Sequence, residues 1–408
     1  MIRILHTADV HLDSPLKSLA LRDPELREQV QTATRSAFTQ IVDTAILEAV
    51  NALLISGDLF DSTERSARTA AYLAGQLDRL RDNSIQVFYI KGNHDAENPL
   101  TGEVSLPENV HVFDGRGGKV QLSENIWIHG VSFANRHAPE SLLPKFPVPV
   151  IGAINIAMLH TSLAGASGHD PYAPCTVNEL SSSGFDYWAL GHIHSRKVHS
   201  ENPWIVMPGM PQGRDIGEAG PKSASLLTVG KKIEVTEVST SQIEFLNITL
   251  DVAMAENDDR LRDILRQGFR ETESLLDARS GVVRVTLSGS SPRRWQILRD
   301  QDIWVEIASQ FARETGRLWL DKLIFNLTDI PTSSNNATDE LALTMEIIRN
   351  EYGFSKTIRT ELENILTELP PQRRGELVPD AEAIEKLTDR LAKDGAELIL
   401  ARMKGATN

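Results

Sequence analysis

The chain has 408 residues, one cysteine and a formal net charge of −14. That length accommodates more than one cored domain, and the lone Cys175 excludes an intrachain disulfide and suits the cytoplasm. The acidic balance argues against a freestanding nucleic-acid binder, whose phosphate contacts need Lys and Arg, and no stretch reads as a signal peptide or membrane span.

Residues 2–8 read as a first strand that ends in Asp9-Val10-His11. Residues 24–50 carry Leu26, Val30, Ala33, Ala37, Ile41 and Ala45 at helical steps. The apolar run 52–56 is a second strand, and it turns at Gly57 to deliver Asp58 and Asp61. A helix over 63–83 and a strand over 86–90 follow, the strand ending in Gly92-Asn93-His94-Asp95. This β-α-β-α-β order predicts an α/β layered fold with a largely parallel core.

Between 110 and 131 the pattern shifts to short strands, expected as antiparallel additions to the sheet. Strands are predicted over 151–159, ending at His160, and over 185–190, ending at Gly191-His192-Ile193-His194. A further strand over 204–207 leads to a Gly/Pro-rich loop ending in Arg214, and 226–238 reads as a hairpin turning at Gly230-Lys231. A boundary falls near Thr240. Beyond it lies a β-α-β-α-β set (strands 245–252, 282–288 and 318–327, helices 258–276 and 302–314), then a polar linker over 331–338. Helices are predicted over 340–351, 356–369 and 381–403, broken by Pro370-Pro371.

Five apolar runs therefore end in residues able to hold a metal. In open α/β sheets such carboxyl ends meet at one crevice, with Asp58 placed centrally as a shared carboxylate. Oxygen and imidazole donors without thiolates suit Mn²⁺, Fe²⁺ or Zn²⁺ rather than a structural zinc knot. Two cations about 3.5–4 Å apart clamp a phosphoryl group and generate a hydroxide nucleophile.

The ordered set Asp-x-His, Gly-Asp-x-x-Asp, Gly-Asn-His-Asp, His, Gly-His-x-His resembles the calcineurin-like metallophosphoesterases. Within them the chain is similar to the SbcD/YhaO-type DNA repair exonucleases. The carriers are 6–15, 57–61, 168–175, 187–194 and 208–214, over about 240 residues. The resemblance implies a four-layer α-β-β-α sandwich over 1–240, a small α+β capping domain over 241–330 and a helical C-terminal region over 331–408. It implies Asp9, His11, Asp58 and His194 around one divalent ion and Asp58, Asn93, His160 and His192 around a second, Mn²⁺ being expected. His94 resembles the histidine that assists the leaving oxygen, and Asp61 the carboxylate that orients it. In some nuclease relatives a histidine stands where this chain has Asp61, and Met210 replaces an expected Asn. The implied activity is hydrolysis of DNA phosphodiesters beside an SMC-like coiled-coil ATPase of the SbcC type. Docking of the C-terminal helices on that ATPase and a homodimer are further expectations. His169, Tyr172 and Arg214 lie on loops that can reach the crevice as substrate contacts, and Trp295 and Trp304 near Arg293-Arg294 mark a basic-aromatic spot. A small-molecule phosphoesterase and a DNA-binding subunit with secondary catalysis are the alternative readings.

Overall fold

The computed structural model describes residues 1–16, 23–61, 66–96, 106–163, 172–328 and 337–405. Two six-stranded sheets dominate. The first has the order β12-β11-β1-β2-β3-β4. It consists of β1 (Ile2–Thr7), β2 (Ala52–Ser56), β3 (Gln86–Ile90), β4 (Val110–Val112), β11 (Ser223–Val229) and β12 (Ile233–Ser239). Strands β1 to β4 run parallel; β11 is antiparallel to β1 and closes that side as a hairpin with β12.

The second sheet has the order β5-β6-β7-β8-β10-β9. Its strands are β5 (Gly118–Ser123), β6 (Ile126–Gly130), β7 (Ile154–His160), β8 (Tyr187–Gly191), β9 (Lys197–Glu201) and β10 (Trp204–Met207). Strands β6, β7, β8 and β10 are parallel, with antiparallel β5 and β9 at the edges. The residues after 110 thus do not all extend the first sheet in antiparallel fashion. β4 joins β3 in parallel, and β5–β6 open a new sheet. Three half-exposed residues carry too little alternation to fix the direction of β4.

The central strands are buried on both faces, so they are continuous apolar runs rather than alternating ones. In β2, Ala52 and Leu54 face a core between the sheets together with Ile4, Phe88, Ile128, Ile156, Met158 and Tyr187. Leu53 and Ile55 point the other way, against α1 (Pro24–Leu47) and α2 (Ala67–Asp82), where Phe38, Ile41, Leu73 and Leu77 cover them. The far face of the second sheet packs Trp188, Leu190 and Ile205 against Leu180 of α3 (Val177–Ser182) and Phe185. The result is the four-layer α-β-β-α sandwich. Polar pins cross between the sheets: Ser56 Oγ donates to Ala189 O at 3.0 Å. The buried His6 ring lies 2.9 Å from the Tyr187 hydroxyl and 3.0 Å from Leu190 O, so it belongs to the core.

A three-stranded sheet has the order β13-β14-β15: β13 (Ile243–Asp251), β14 (Ser280–Ser290) and β15 (Leu318–Thr328). The remaining helices are α4 (Asp258–Ser274), α5 (Arg294–Arg299), α6 (Gln301–Glu314), α7 (Ala337–Arg349), α8 (Tyr352–Thr367), α9 (Pro371–Leu377) and α10 (Ala381–Lys404). The chain divides into two compact units. One comprises Met1–Asn247, Thr272–Arg284 and Arg317–Asp321; the other comprises Ile248–Glu271, Val285–Gly316 and Lys322–Asn408. In the second unit the ring of Trp295 is covered by Arg294 at 4.2 Å and Lys404 at 4.9 Å, and Arg294 Nη2 donates to Glu397 at 3.1 Å. Those contacts tie α10 to α5 and occupy the expected basic-aromatic spot, while Trp304 is buried.

Phe88 fills the centre of the inter-sheet core. Phe88→Ala is expected to destabilise the chain by about 3–5 kcal/mol, read as a lower urea midpoint in the presence of chelator. A loss under about 1 kcal/mol would contradict the packing described.

Candidate metal centre

The site forms where strand ends from both sheets meet. The turns after β1 and β2 are laced together: Asp9 N–H donates to Gly57 O, His11 N–H to Asp58 O and Leu12 N–H to Leu59 O, each at 3.0 Å. Asp9, His11, Asp58 and His192 take left-handed backbone conformations, with φ of 53°, 45°, 52° and 99°. Such angles are costly for residues with a Cβ and concentrate where side chains must be aimed. Glycine is required where the chains touch. A Cβ on Gly57 would stand 2.3 Å from His160 Nδ1, and one on Gly191 would stand 2.0 Å from Ser56 O.

Three overlapping donor groups result, each with its atoms within 4.8 Å of one another: Asp9, His11 and His194; His11, Asp58 and His94; Asp58, His160 and His192. Asn93 joins them, its Oδ1 lying 3.0 Å from His160 Nε2. The structure therefore brings together all seven expected ligands. Asp58 belongs to two of the groups, and its Oδ2 lies 3.4 Å from His160 Nε2. His94 sits beside them. Its ring centroid is 4.9 Å from that of His11, its N–H donates to Asp58 Oδ1 at 2.9 Å, and its Nδ1 lies 3.1 Å from Asp61 Oδ1.

The donor set fits divalent cations and is poorly satisfied without them. His160 Nδ1–H donates to Ser56 O at 2.9 Å, which turns Nε2 toward two acceptor oxygens, Asn93 Oδ1 and Asp58 Oδ2. His11 Nε2 faces His194 Nε2 at 3.3 Å, and His11 Nδ1 is buried without a hydrogen-bond partner among the described residues. A lone pair aimed at another acceptor in a buried site calls for a proton or a cation between them.

The charges are correspondingly displaced. Burial pushes Asp9 up to about 6 against the pull of His160 and His194. Burial also pushes Asp58 up, yet His160, His11 and His94 outweigh it and hold that carboxyl far below the usual range. Burial lowers His11 to about 3, so its ring is neutral and available as a ligand. Burial opposes the charge on His160, but Asp58 and Asp9 dominate and raise it to about 9. His94 is likewise pushed down by burial and raised on balance by Asp61, Asp58 and Asp95.

Of the expected substrate contacts, Tyr172 lies with its ring 5.0 Å from that of His192, and His169 falls outside the described residues. Arg214 approaches the site through Glu218, donating to it from the backbone N–H at 2.7 Å and from Nη2 at 2.9 Å. The opening beside Asp58, Asn93, His94 and His194 is a cavity of about 380 Å³ that Glu218 and Lys222 also line. Two residues of this assembly, Glu218 and Lys222, carry no sequence signal, lying where no metal-ligand spacing is present. Asp95 reads from the sequence as a strand-end carboxylate with no further role. It is buried and accepts the N–H groups of Phe60 at 2.9 Å and Gly92 at 3.0 Å, shaping two of the turns.

Comparison with known proteins agrees with this geometry. The calcineurin-like phosphoesterase family model matches residues 2–196, and that of the metallophosphoesterase YhaO middle domain matches residues 245–328. The uncharacterized metallophosphoesterase YhaO of Bacillus subtilis (strain 168) is 32% identical over 302 residues, 71% of this chain and 72% of that protein. The DNA double-strand break repair protein Mre11 of Sulfolobus acidocaldarius is 24% identical over 73% of this chain and 78% of that protein. Its namesake from Saccharolobus solfataricus is 29% identical over 52% of this chain and 55% of that protein. The chain belongs to the calcineurin-like metallophosphoesterases, whose chemistry is metal-dependent hydrolysis of phosphoesters. Within that family it is of the SbcD/YhaO type.

His160 and Asp9 supply the pH dependence. Without ions, the His160 ring is protonated below about 9 and Asp9 below about 6. A cation must displace those protons, so affinity should rise with pH, by about tenfold per unit for each proton released. Mn²⁺ calorimetry between about pH 7 and pH 9, in buffers of different ionisation enthalpy, should show this rise together with proton release. A flat profile would contradict it.

Proposed function

We propose that this chain is a two-metal, most naturally Mn²⁺-dependent, DNA phosphodiesterase of the cytoplasm that works with an SMC-like coiled-coil ATPase in DNA repair. The observation that carries this reading is the meeting of seven oxygen and nitrogen donors from two sheets around Asp58, with His94 on Asp61 at their margin. The likeness to proteins named for double-strand break repair supports DNA as the substrate.

Asp9, His11, Asp58 and His194 would hold one ion, and Asp58, Asn93, His160 and His192 the other. When bound, such cations neutralise phosphoryl charge and acidify water. The protein's own groups then divide the work. The laced turns hold the donors in place before substrate arrives, so little reorganisation is left to the reaction. His94 donates from Nδ1 to Asp61, which fixes the ring and favours its charged form. From Nε2 it passes a proton to the departing 3′ oxygen as the phosphorus–oxygen bond breaks, while water supplies the oxygen that remains on phosphorus and gives up a proton to solvent. The cations also answer the net charge of −14, because they supply local attraction for a polyanion where the surface does not.

For the ATPase, the helical tail supports a docking role. Leu343 and Ile347 on α7 and Ile365 on α8 are 63%, 64% and 61% exposed. Such apolar side chains suit a coiled-coil partner. Ile347→Glu is expected to abolish co-sedimentation with the coiled-coil ATPase of the same organism and leave hydrolysis of short DNA unchanged. Retained co-sedimentation would refute docking through α7.

The substrate is tested by Mn²⁺ assays run side by side on single-stranded DNA, duplex DNA and nitrophenyl phosphate esters. Hydrolysis of the esters with DNA left intact would favour the small-molecule alternative. DNA binding with no hydrolysis by the wild type would favour the binding-subunit alternative. His94→Ala should lower kcat on DNA by about 10²–10⁴-fold while Mn²⁺ still binds. Asp61→Asn should move the alkaline limb of the pH–rate profile to lower pH, because Asp61 raises His94 and the acid must be protonated. An unshifted limb would remove His94 from the acid role.

A further inference from the structure

We infer that Glu218 is a positioning residue that makes the two cation sites unequal by fixing and activating His194. The inference rests on the two-ion reading above. His194 Nδ1 lies 2.7 Å from Glu218 Oε1, and a carboxylate has no proton to give, so Nδ1 carries the hydrogen and donates it. That aims Nε2 toward His11 Nε2 and the donor group of Asp9. A carboxylate behind an imidazole holds the tautomer and ring orientation and makes the opposite nitrogen a stronger ligand.

Glu218 is itself held. Arg214 donates to Oε2 from its backbone N–H at 2.7 Å and to Oε1 from Nη2 at 2.9 Å. The turn that presents it is capped by Asp215, whose side chain accepts the Gly217 N–H at 2.8 Å. Both of its oxygens thus face N–H donors, the surroundings that suit a carboxylate. The opposite side of the centre is built differently: His160 Nδ1–H rests on a neutral acceptor, the carbonyl of Ser56. A carboxylate thus backs His194 and a carbonyl backs His160. Arg214 meets both members of this pair, since its Nη2 also lies 3.3 Å from His194 Nδ1.

The test is a Mn²⁺ titration of the full chain by calorimetry, with paramagnetic resonance to count ions, comparing wild type with Glu218→Gln and Glu218→Asp. Two binding steps are expected in the wild type. Glu218→Gln keeps the shape and removes the charge, and it should weaken one step by about 10–100-fold while the other stays within about twofold. Glu218→Asp should recover part of that loss. Equal weakening of both steps, or of neither, overturns the inference. If Glu218→Gln does not fold, Arg214→Met is read in the same way. It keeps the carboxylate but loosens it, so a smaller loss confined to one step is expected and an unchanged titration refutes the role. Failure of the wild type to bind two ions would instead overturn the two-ion reading itself.

Discussion

The structure depends on one crowded spot, where buried oxygens and imidazole nitrogens point at one another around Asp58. Burying two carboxylates, Asp9 and Asp58, side by side is expensive unless opposite charge joins them. The protein accepts that cost at every level. Four of the donors sit in left-handed backbone, glycines are needed at the contact points, and the turns after β1 and β2 are bonded edge to edge. None of these arrangements favours folding in itself. Each is accounted for by a positive centre for which the donors compete.

Much of this was legible in the sequence because it is local. A short apolar run ending in Gly-Asp or Gly-His states both the strand and its terminal candidate donor within a few residues, and five such runs in order point to the layered fold and the crevice, while the choice of seven ligands among them rests on the family resemblance. What was not legible depends on distance through space. Glu218 stands 24 positions from the ring it supports, in a loop whose composition announces only a turn. The edge strand β9, mostly exposed, lacks an apolar signature. Helix α9 begins at Pro371, a residue that read as a break yet suits the first turn of a helix, where no N–H is needed. Trp295 could not be assigned before Arg294 and Lys404 were seen to lie against its ring.

The two compact units divide the physical tasks. The first unit builds a rigid, doubly buried scaffold whose strand ends aim the donors, so its sequence is constrained nearly everywhere along the central strands. In the second, α8, α9 and α10 gather a small apolar cluster around Leu362, Leu366 and Val378, while larger apolar side chains stay in solvent. A tail built in this way contributes modestly to its own stability and keeps apolar surface available for association.

The donors span positions 9 to 194, and they come from strands of both sheets. During synthesis, a nascent chain that has emerged only as far as the turn after the third strand carries Asp9, His11, Asp58 and Asn93 but not His160, His192 or His194. It has neither the second sheet nor the inter-sheet core that brings them together. The complete donor set must therefore wait until the chain has been made at least through His194 and the strands that carry the donors have paired. The complete donor set is consequently a late property of the assembled layers, absent from a fragment that stops short of the second sheet.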